Sequence, residues 1–131
     1  ALSNLASNAV KFTPSGGSVR LSCRPSADGR SVEIRCADTG MGVPHAETKL
    51  LFTRFFRASN ASREQIPGTG LGLVIVHDIV ARHEGTIEVA SAEGRGATFT
   101  MILPASPERG RCAVHDKPER ATYSPFQKAN T

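Results

Sequence analysis

The stretch GTGLGLVIVHDIVARHEG, residues 68–85, joins a glycine-rich loop to the clearest helical pattern in the chain. From Leu71 to His83 the apolar residues recur at helical spacing and form one broad stripe. The stripe consists of Leu71, Val74, Ile75, Ile79 and Val80. Gly85 stands where a helix C-terminal cap is expected. Because free backbone N–H groups and the helix dipole would converge on an anion at the loop, the stretch predicts a phosphate site.

This glycine loop matches neither of the two common nucleotide-binding loops. A Walker A loop would end in Gly-Lys-Ser or Gly-Lys-Thr, and a Rossmann loop would precede a crossover and a later acidic ribose ligand. Neither continuation is present in the chain. The loop by itself is therefore only a weak indication of nucleotide binding.

Helical and strand patterns alternate through the rest of the sequence. Residues 2–12, LSNLASNAVKF, have apolar positions at helical spacing and are followed by Pro14, which ends a helix. The pairs SVRLSC with SVEIRC and TIEVAS with ATFTMILP alternate apolar and polar residues around turn-forming stretches, which predicts two β-hairpins. A short apolar helix is expected around residues 50–56, and a mobile, lid-like loop over residues 58–67.

The order of these elements predicts an α+β fold, a two-layer sandwich in which helices cover one face of a mostly antiparallel mixed sheet. In the first hairpin, the side that meets the helices would carry Val19, Leu21, Cys23, Val32, Ile34 and Cys36. Regular patterning stops after Pro104. We therefore expect one domain over residues 1–104 and a disordered tail over residues 105–131.

Composition and charge restrict the class of protein. With 131 residues, 39% hydrophobic and 21% charged, the chain resembles one ordinary globular domain. No apolar stretch could span a bilayer and no signal peptide is visible, so we expect a cytoplasmic chain without direct membrane contact, although its parent protein can be membrane-anchored. The net charge of +4 is dispersed, which argues against nucleic acid binding. Three scattered cysteines, Cys23, Cys36 and Cys112, are expected to be reduced thiols.

Two further stretches carry polar groups suited to a nucleotide. Asn4, Asn8 and Lys11 lie at positions i, i+4 and i+7 and form a polar stripe along the first helix. An amide oxygen can bind Mg²⁺ and a lysine can meet a phosphate, although a solvent-exposed helix face explains the same pattern. Asp38, followed by Thr-Gly-Met-Gly, comes directly after a strand. Its carboxylate can accept a hydrogen bond from an exocyclic amine such as that of adenine, and an ordinary turn is the alternative.

Four stretches together resemble the N, G1, F and G2 boxes of the ATP-binding domain of sensor histidine kinases, in order and spacing. They are NLASNAVKFT (residues 4–13), DTGMGVP (38–44), LFTRFFR (51–57) and GTGLGL (68–73). The resemblance runs from Ala1 to about Pro104 and includes the closing hairpin EGRGATFTMILP. It implies the nucleotide-binding fold that is also used in gyrase-type, chaperone-type and mismatch-repair ATPases, with ATP and Mg²⁺ as cofactors.

The resemblance also implies roles for single residues. Asn8 would coordinate Mg²⁺ and serve catalysis together with Lys11, which approaches the phosphates, and Asn4 would lie nearby. Asp38 would recognise the adenine amine. The other expected ATP contacts are Gly40, Gly42, Phe55, Arg57, Gly68, Thr69, Gly70, Leu71, Gly72 and Thr98. For Phe52 and Phe55 of the F box, packing in the core is expected as well.

The resemblance favours a kinase over a hydrolase. In the related ATPases a glutamate four residues before the metal-binding asparagine activates water, and the anti-sigma-factor serine kinases usually have a glutamate there too. This chain has Asn4 at that position, and an amide cannot act as a general base. The expected activity is transfer of the γ-phosphate to a histidine of a separate dimerisation domain, for relay to a response-regulator aspartate. A degenerate nucleotide-binding domain, an ATPase or a serine kinase of the same fold is the alternative.

The acceptor histidine is not expected within this chain, because none of its histidines lies in a phosphoacceptor pattern. They are His45, His77, His83 and His115. By the resemblance, the dimerisation helices and the strands that normally precede the first helix are missing, so the chain is expected to be a fragment. An open sheet edge would then make the isolated chain marginally stable or self-associating.

Overall fold

The structure is a computed structural model that describes residues 1–105. Its elements are α1 (Leu2–Phe12), β1 (Val19–Pro25), β2 (Ser31–Asp38), a 3₁₀ helix (His45–Leu50), α2 (Ser59–Arg63), α3 (Gly72–Arg82), β3 (Thr86–Ser91) and β4 (Ala97–Pro104). The predictions of the first helix, of the helix after the glycine loop and of both hairpins are confirmed. The tail expected over residues 105–131 lies outside the described residues except for Ala105, whose N–H donates to the Arg30 carbonyl at 2.8 Å.

The four strands form one sheet in the order β1-β2-β4-β3. All three strand pairings among residues 1–105 are antiparallel, so the parallel part implied by a mixed sheet is absent from this region. Helices α1 and α3 pack on each other and on one face of the sheet. The core between them consists of Leu5, Ala9, Cys36, Val76, Val80, Ala97, Phe99 and Met101. This arrangement confirms the α+β two-layer fold.

Strand β1 forms an edge of the sheet and is poorly covered by the helices. Leu21 pairs with Cys36 and Cys23 pairs with Ile34, so these side chains share the helix-bearing face, as predicted. Yet Leu21 is 47% exposed, and Cys23 is exposed too, whereas Cys36 is buried. The helix-bearing face therefore continues beyond the region that α1 and α3 cover.

Helix α3 ends differently from the prediction. The left-handed residue is Glu84 (φ 56°) rather than Gly85, and the N–H groups of Glu84 and Gly85 donate to the Ala81 and Val80 carbonyls, the hydrogen bonds of a Schellman cap. Gly85 is instead required by space, because a Cβ there would lie 2.6 Å from the Ile102 carbonyl oxygen. The predicted apolar stripe is also shifted, since Ile75 is exposed while Val76 is fully buried.

The segment between β2 and α3 was predicted least well. The helix expected around residues 50–56 is wrong: the 3₁₀ helix covers His45–Leu50, and turns follow it. The loop expected over residues 58–67 contains the short helix α2. Within the described part of the chain, no helix combines the length and the apolar character needed to cross a membrane.

Candidate functional site

A cavity of about 380 Å³ opens between α1, the loop after β2, the α2 segment and the start of α3. Ten of the residues singled out in the sequence line it: Asn4, Asn8, Lys11, Asp38, Gly42, Arg57, Gly68, Thr69, Gly70 and Gly72. These residues come from four stretches that are far apart in the chain. The fold therefore brings the amide, the carboxylate, the amine and the glycine loop to one space.

Asp38 ends strand β2 and is held by the backbone. Its Oδ1 accepts hydrogen bonds from the Gly40 N–H at 2.9 Å and from the Ala97 N–H at 3.2 Å. Neither bond uses Oδ2, which leaves that oxygen for a donor in the cavity. Burial, and after it the Asp38 carboxylate, raise the pKa of the neighbouring Cys36 thiol, so this cysteine stays neutral beside the site.

Helix α1 meets the glycine loop through its polar stripe. The Asn4 side-chain amide donates to the Gly72 carbonyl at 3.2 Å, which ties α1 to the first residue of α3. The Lys11 amine lies 5.1 Å from the centre of the Phe12 ring, and a Cβ placed on Gly68 would be only 2.9 Å from its Nζ. Asn8 is half-buried, and its side-chain amide makes no hydrogen bond with residues 1–105. The stripe is thus directed at the loop and is not merely a solvated face.

The loop before α3 is shaped by contact with the F-box segment. Gly70 has a left-handed backbone (φ 73°), and a Cβ there would come within 2.7 Å of the Phe55 backbone. The Phe55 N–H donates to the Gly70 carbonyl at 3.1 Å. The first N–H groups of α3 have no partner within the helix, and together with the positive end of the helix dipole they favour an anion beside the loop.

No group of three or more His, Cys, Asp or Glu side chains that could hold a metal ion occurs among residues 1–105. The half-buried Asn8 amide in the cavity lining carries an oxygen of the kind that Mg²⁺ prefers.

Four predicted ATP contacts do not line the cavity. Gly40 is packed against the backbone of Phe12, whose carbonyl also accepts from the Met41 N–H. Phe55 is 72% exposed, with a left-handed backbone (φ 63°). Leu71 is the half-buried residue that precedes α3. Thr98 is separated from the cavity because strand residues alternate between faces, and it is Ala97 and Phe99 that line the space.

The sequence reasoning missed several lining residues, of which Asn60 is the most informative. This asparagine of α2 is 5% exposed, and its side chain bonds to the Gly42 carbonyl. It stands in the polar run SNASR, where no periodicity indicates burial. The apolar lining residues Ala97 and Phe99 could have been found, because they lie on the same face of the sheet as the predicted core residue Cys36.

Comparisons with known proteins find relatives of this chain. The family model described as "Histidine kinase-, DNA gyrase B-, and HSP90-like ATPase" matches residues 1–107. The sensor-like histidine kinase SenX3 of Mycobacterium tuberculosis is 43% identical over 123 residues, which are 92% of this chain and 28% of that protein. The sensor histidine kinase WalK of Bacillus subtilis is 38% identical over 108 residues, 82% of this chain and 18% of that protein. The chain thus spans less than a third of the length of these curated relatives.

Solved structures show the same likeness. The mycobacterial sensor histidine kinase MprB superposes with a TM-score of 0.67 at 34% identity, over 77% of this chain and 67% of that one. Full-length ShkA in complex with AMPPNP gives a TM-score of 0.66 at 36% identity, over 80% of this chain and 21% of that one. The nucleotide-free catalytic domain of the histidine kinase ThkA gives a TM-score of 0.64 at 27% identity, over 79% of this chain and 64% of that one.

Proposed function

The chain belongs to the histidine kinase-, DNA gyrase B- and HSP90-like ATPase family as the ATP-binding catalytic domain of a sensor histidine kinase, and we propose how its residues serve that function. The cavity binds Mg-ATP and presents the γ-phosphate to a histidine of a separate dimerisation domain, from which it passes to an aspartate of a response regulator. The observation that carries the proposal is the convergence of Asp38, Asn8, Lys11 and the glycine loop on one cavity.

Asp38 is assigned to the adenine base. Its Oδ1 is engaged by the Gly40 and Ala97 N–H groups, so the carboxylate cannot rotate freely, and Oδ2 accepts the exocyclic amine. Apolar side chains of Met41, Val43 and Leu51 line the cavity and suit the faces of a purine. A carboxylate would repel the carbonyl oxygen that guanine has in place of this amine, so the site selects ATP.

The phosphates are assigned to the other end of the cavity. The loop over residues 68–70 and the N-terminus of α3 supply backbone N–H groups, and Lys11 supplies a positive charge beside Gly68. When bound, Mg²⁺ neutralises charge on the phosphate oxygens. The Asn8 amide oxygen would hold that ion, and no side-chain hydrogen bond with residues 1–105 occupies this amide.

Transfer rather than hydrolysis follows from the position of Asn4. Its amide has no basic site for a water proton, and its nitrogen is used in the bond to the Gly72 carbonyl. What this domain contributes is orientation and charge neutralisation, which are the main requirements for phosphoryl transfer. A hydrolytic role for this chain is therefore disfavoured.

The acceptor is assigned to another domain. His45, His77 and His83 do not line the cavity. The partner is the dimerisation domain of the parent kinase, and contact with the response regulator is indirect. We place this domain in the cytoplasm, where ATP is available and free thiols such as Cys23 stay reduced.

Phosphotransfer in trans tests the proposal. The chain is incubated with the separately purified dimerisation domain of its parent kinase and γ-labelled Mg-ATP, and acid-labile label on the histidine is measured. The wild-type chain is expected to transfer label, and Asn8→Ala to lose about a hundredfold or more in rate, as when a charge-stabilising group is removed. Ser3→Ala, at an exposed position of the same helix, is the matched control. Equal transfer by wild type and Asn8→Ala would contradict the assignment.

A further inference from the structure

We propose that Asn60 is a positioning residue that fastens α2 to the loop after β2 and so closes the adenine end of the cavity. The inference rests on the proposed ATP site. Asn60 contacts protein backbone rather than the nucleotide, and it acts by holding Gly42 and α2 together.

Asn60 is an exception in its segment. It is 5% exposed, and no other polar side chain among residues 1–105 is fully buried. Its neighbours Ser59, Ser62 and Arg63 in the same helix are exposed. Burying an amide is unfavourable unless its donors and acceptors are bonded, so a buried asparagine in a five-residue helix requires specific partners.

The partners are backbone groups of two different segments. The Asn60 Nδ2 donates to the Gly42 carbonyl at 2.8 Å, and its Oδ1 accepts from the Ala61 N–H at 2.9 Å. A carbonyl can only accept and a backbone N–H can only donate, so a single orientation of the amide satisfies both bonds. The bond to Gly42 spans 18 residues and links α2 to the loop that begins at Asp38.

The place of Asn60 in the cavity wall indicates what this link does. Asn60 and Met41 line both the main cavity and a second hollow of about 300 Å³. The second hollow is bounded further by Arg63, Glu64, Glu93 and Gly94. Asn60 and Met41 therefore form part of the wall between the two spaces. If the asparagine were released, α2 could move and the base end of the cavity would open to the second hollow.

Two other polar contacts hold α2, and both lie at the surface. Arg63 pairs with Glu93 at 3.1 Å, but both side chains are exposed, and such pairs contribute little because water screens them. Glu47 accepts a bond from the Ser59 N–H at 2.8 Å, also at the surface. The Asn60 amide is buried, so its bond to the Gly42 carbonyl is less screened by water than these two surface links.

The test combines amide hydrogen exchange and nucleotide affinity, measured on the full chain for wild type, Asn60→Ala, Asn60→Asp and the control Ser62→Ala. Asn60→Asp keeps the shape of the side chain but places a second oxygen against the Gly42 carbonyl. This variant therefore shows whether the hydrogen bond, rather than the volume of the side chain, holds α2. We expect exchange across residues 59–66 to rise about tenfold in both Asn60 variants, as for loss of one buried hydrogen bond, with α3 and β4 unchanged. Ser62→Ala should match wild type.

Nucleotide affinity separates positioning from mere support of the fold. Because the bond between Asn60 and the Gly42 carbonyl lies at the adenine end of the cavity, Asn60→Ala should lower the affinities for ATP and for ADP by the same factor, about tenfold. A larger loss for ATP than for ADP, or unchanged affinity for both, would overturn the positioning role. Unchanged amide exchange across residues 59–66 in both Asn60 variants would overturn the link between α2 and Gly42. A wild-type chain that binds neither nucleotide would contradict the proposed function. The exchange results would then still decide whether Asn60 links α2 to Gly42.

Discussion

Gly42 has a left-handed backbone (φ 64°), and a Cβ there would collide with the Ala92 carbonyl oxygen. Gly29 has nearly the same backbone (φ 67°) with no atom within 4 Å of such a Cβ. We expect Gly29→Ala to lower the free energy of unfolding by about 1 kcal/mol through the left-handed backbone alone. Gly42→Ala should cost a further 1–3 kcal/mol, roughly the penalty of overpacking. Thermal melts of the two variants measure this difference, and equal losses would show that the contact with Ala92 carries no cost.

Single residues of the site were predictable where a pattern surrounds them. Asn8, Lys11 and Asp38 stand at fixed positions in stretches that resemble known boxes, and they line the cavity. Thr98 does not line the cavity, because its side of β4 depends on pairing with Ala37 and Ala90, which a family resemblance does not specify. Asn60 had no signal at all, because its burial is produced by the distant Gly42 carbonyl rather than by its neighbours in sequence.

At the level of elements, regular periodicity was sufficient for α1, α3 and the two hairpins. Helix α2 and the 3₁₀ helix were not predicted because they are too short to show an apolar stripe in the sequence. Tertiary contacts stabilise them instead. The C-terminal cap of α3 was expected at Gly85 because glycine is the usual left-handed residue. In the structure Glu84 is the left-handed residue, and Gly85 is required by the nearby Ile102 carbonyl.

The attachment of α2 should depend on pH through Glu47. Hydrogen bonds from Ser59 hold the pKa of this carboxyl below its ordinary value of 4.5. A carboxyl with a lowered pKa in the folded state stabilises the fold above its unfolded pKa, and this contribution is lost as the pH falls through the folded pKa. We expect the Ser59 amide resonance to titrate with a midpoint below 4.5 and to lose the titration in Glu47→Gln. A midpoint at or above that value would contradict the bond.

For the whole molecule, the two hairpins could be predicted from local sequence patterns, but the pairing of one hairpin with the other could not. The sheet is completed by the pairing of β2 with β4, strands from different hairpins, in a register that sets Cys36 opposite Phe99. This contact lies between residues more than sixty positions apart and depends on the burial of Cys36 and Phe99 against α1 and α3 on one face of the sheet. Local turn chemistry carries no information about such a pairing.

The uncovered part of the helix-bearing face should make the isolated chain associate with itself. Leu21 on the edge strand β1 is 47% exposed, and Val10 on α1 is 67% exposed. Exposed apolar side chains, together with a strand edge that pairs with no other strand of residues 1–105, favour contact between copies. Sedimentation velocity should show concentration-dependent association of wild type and less association of Leu21→Lys. Ser22→Lys adds the same charge to the opposite face of β1 and should change association less. A wild-type chain that stays monomeric at every concentration would contradict this expectation.

The measurement that tests the central claim most directly is calorimetric titration of Mg-ATP into the full chain, beside Asp38→Asn and Asn8→Ala variants whose folding is verified by circular dichroism. Wild type is expected to bind one nucleotide. Asp38→Asn should lose at least about tenfold in affinity, because its amide presents a donor to the adenine amine or leaves the Gly40 and Ala97 N–H groups unpaired. Asn8→Ala should weaken binding only when Mg²⁺ is present. A folded wild-type chain that binds no Mg-ATP, or variants that bind as tightly as wild type, would contradict the account.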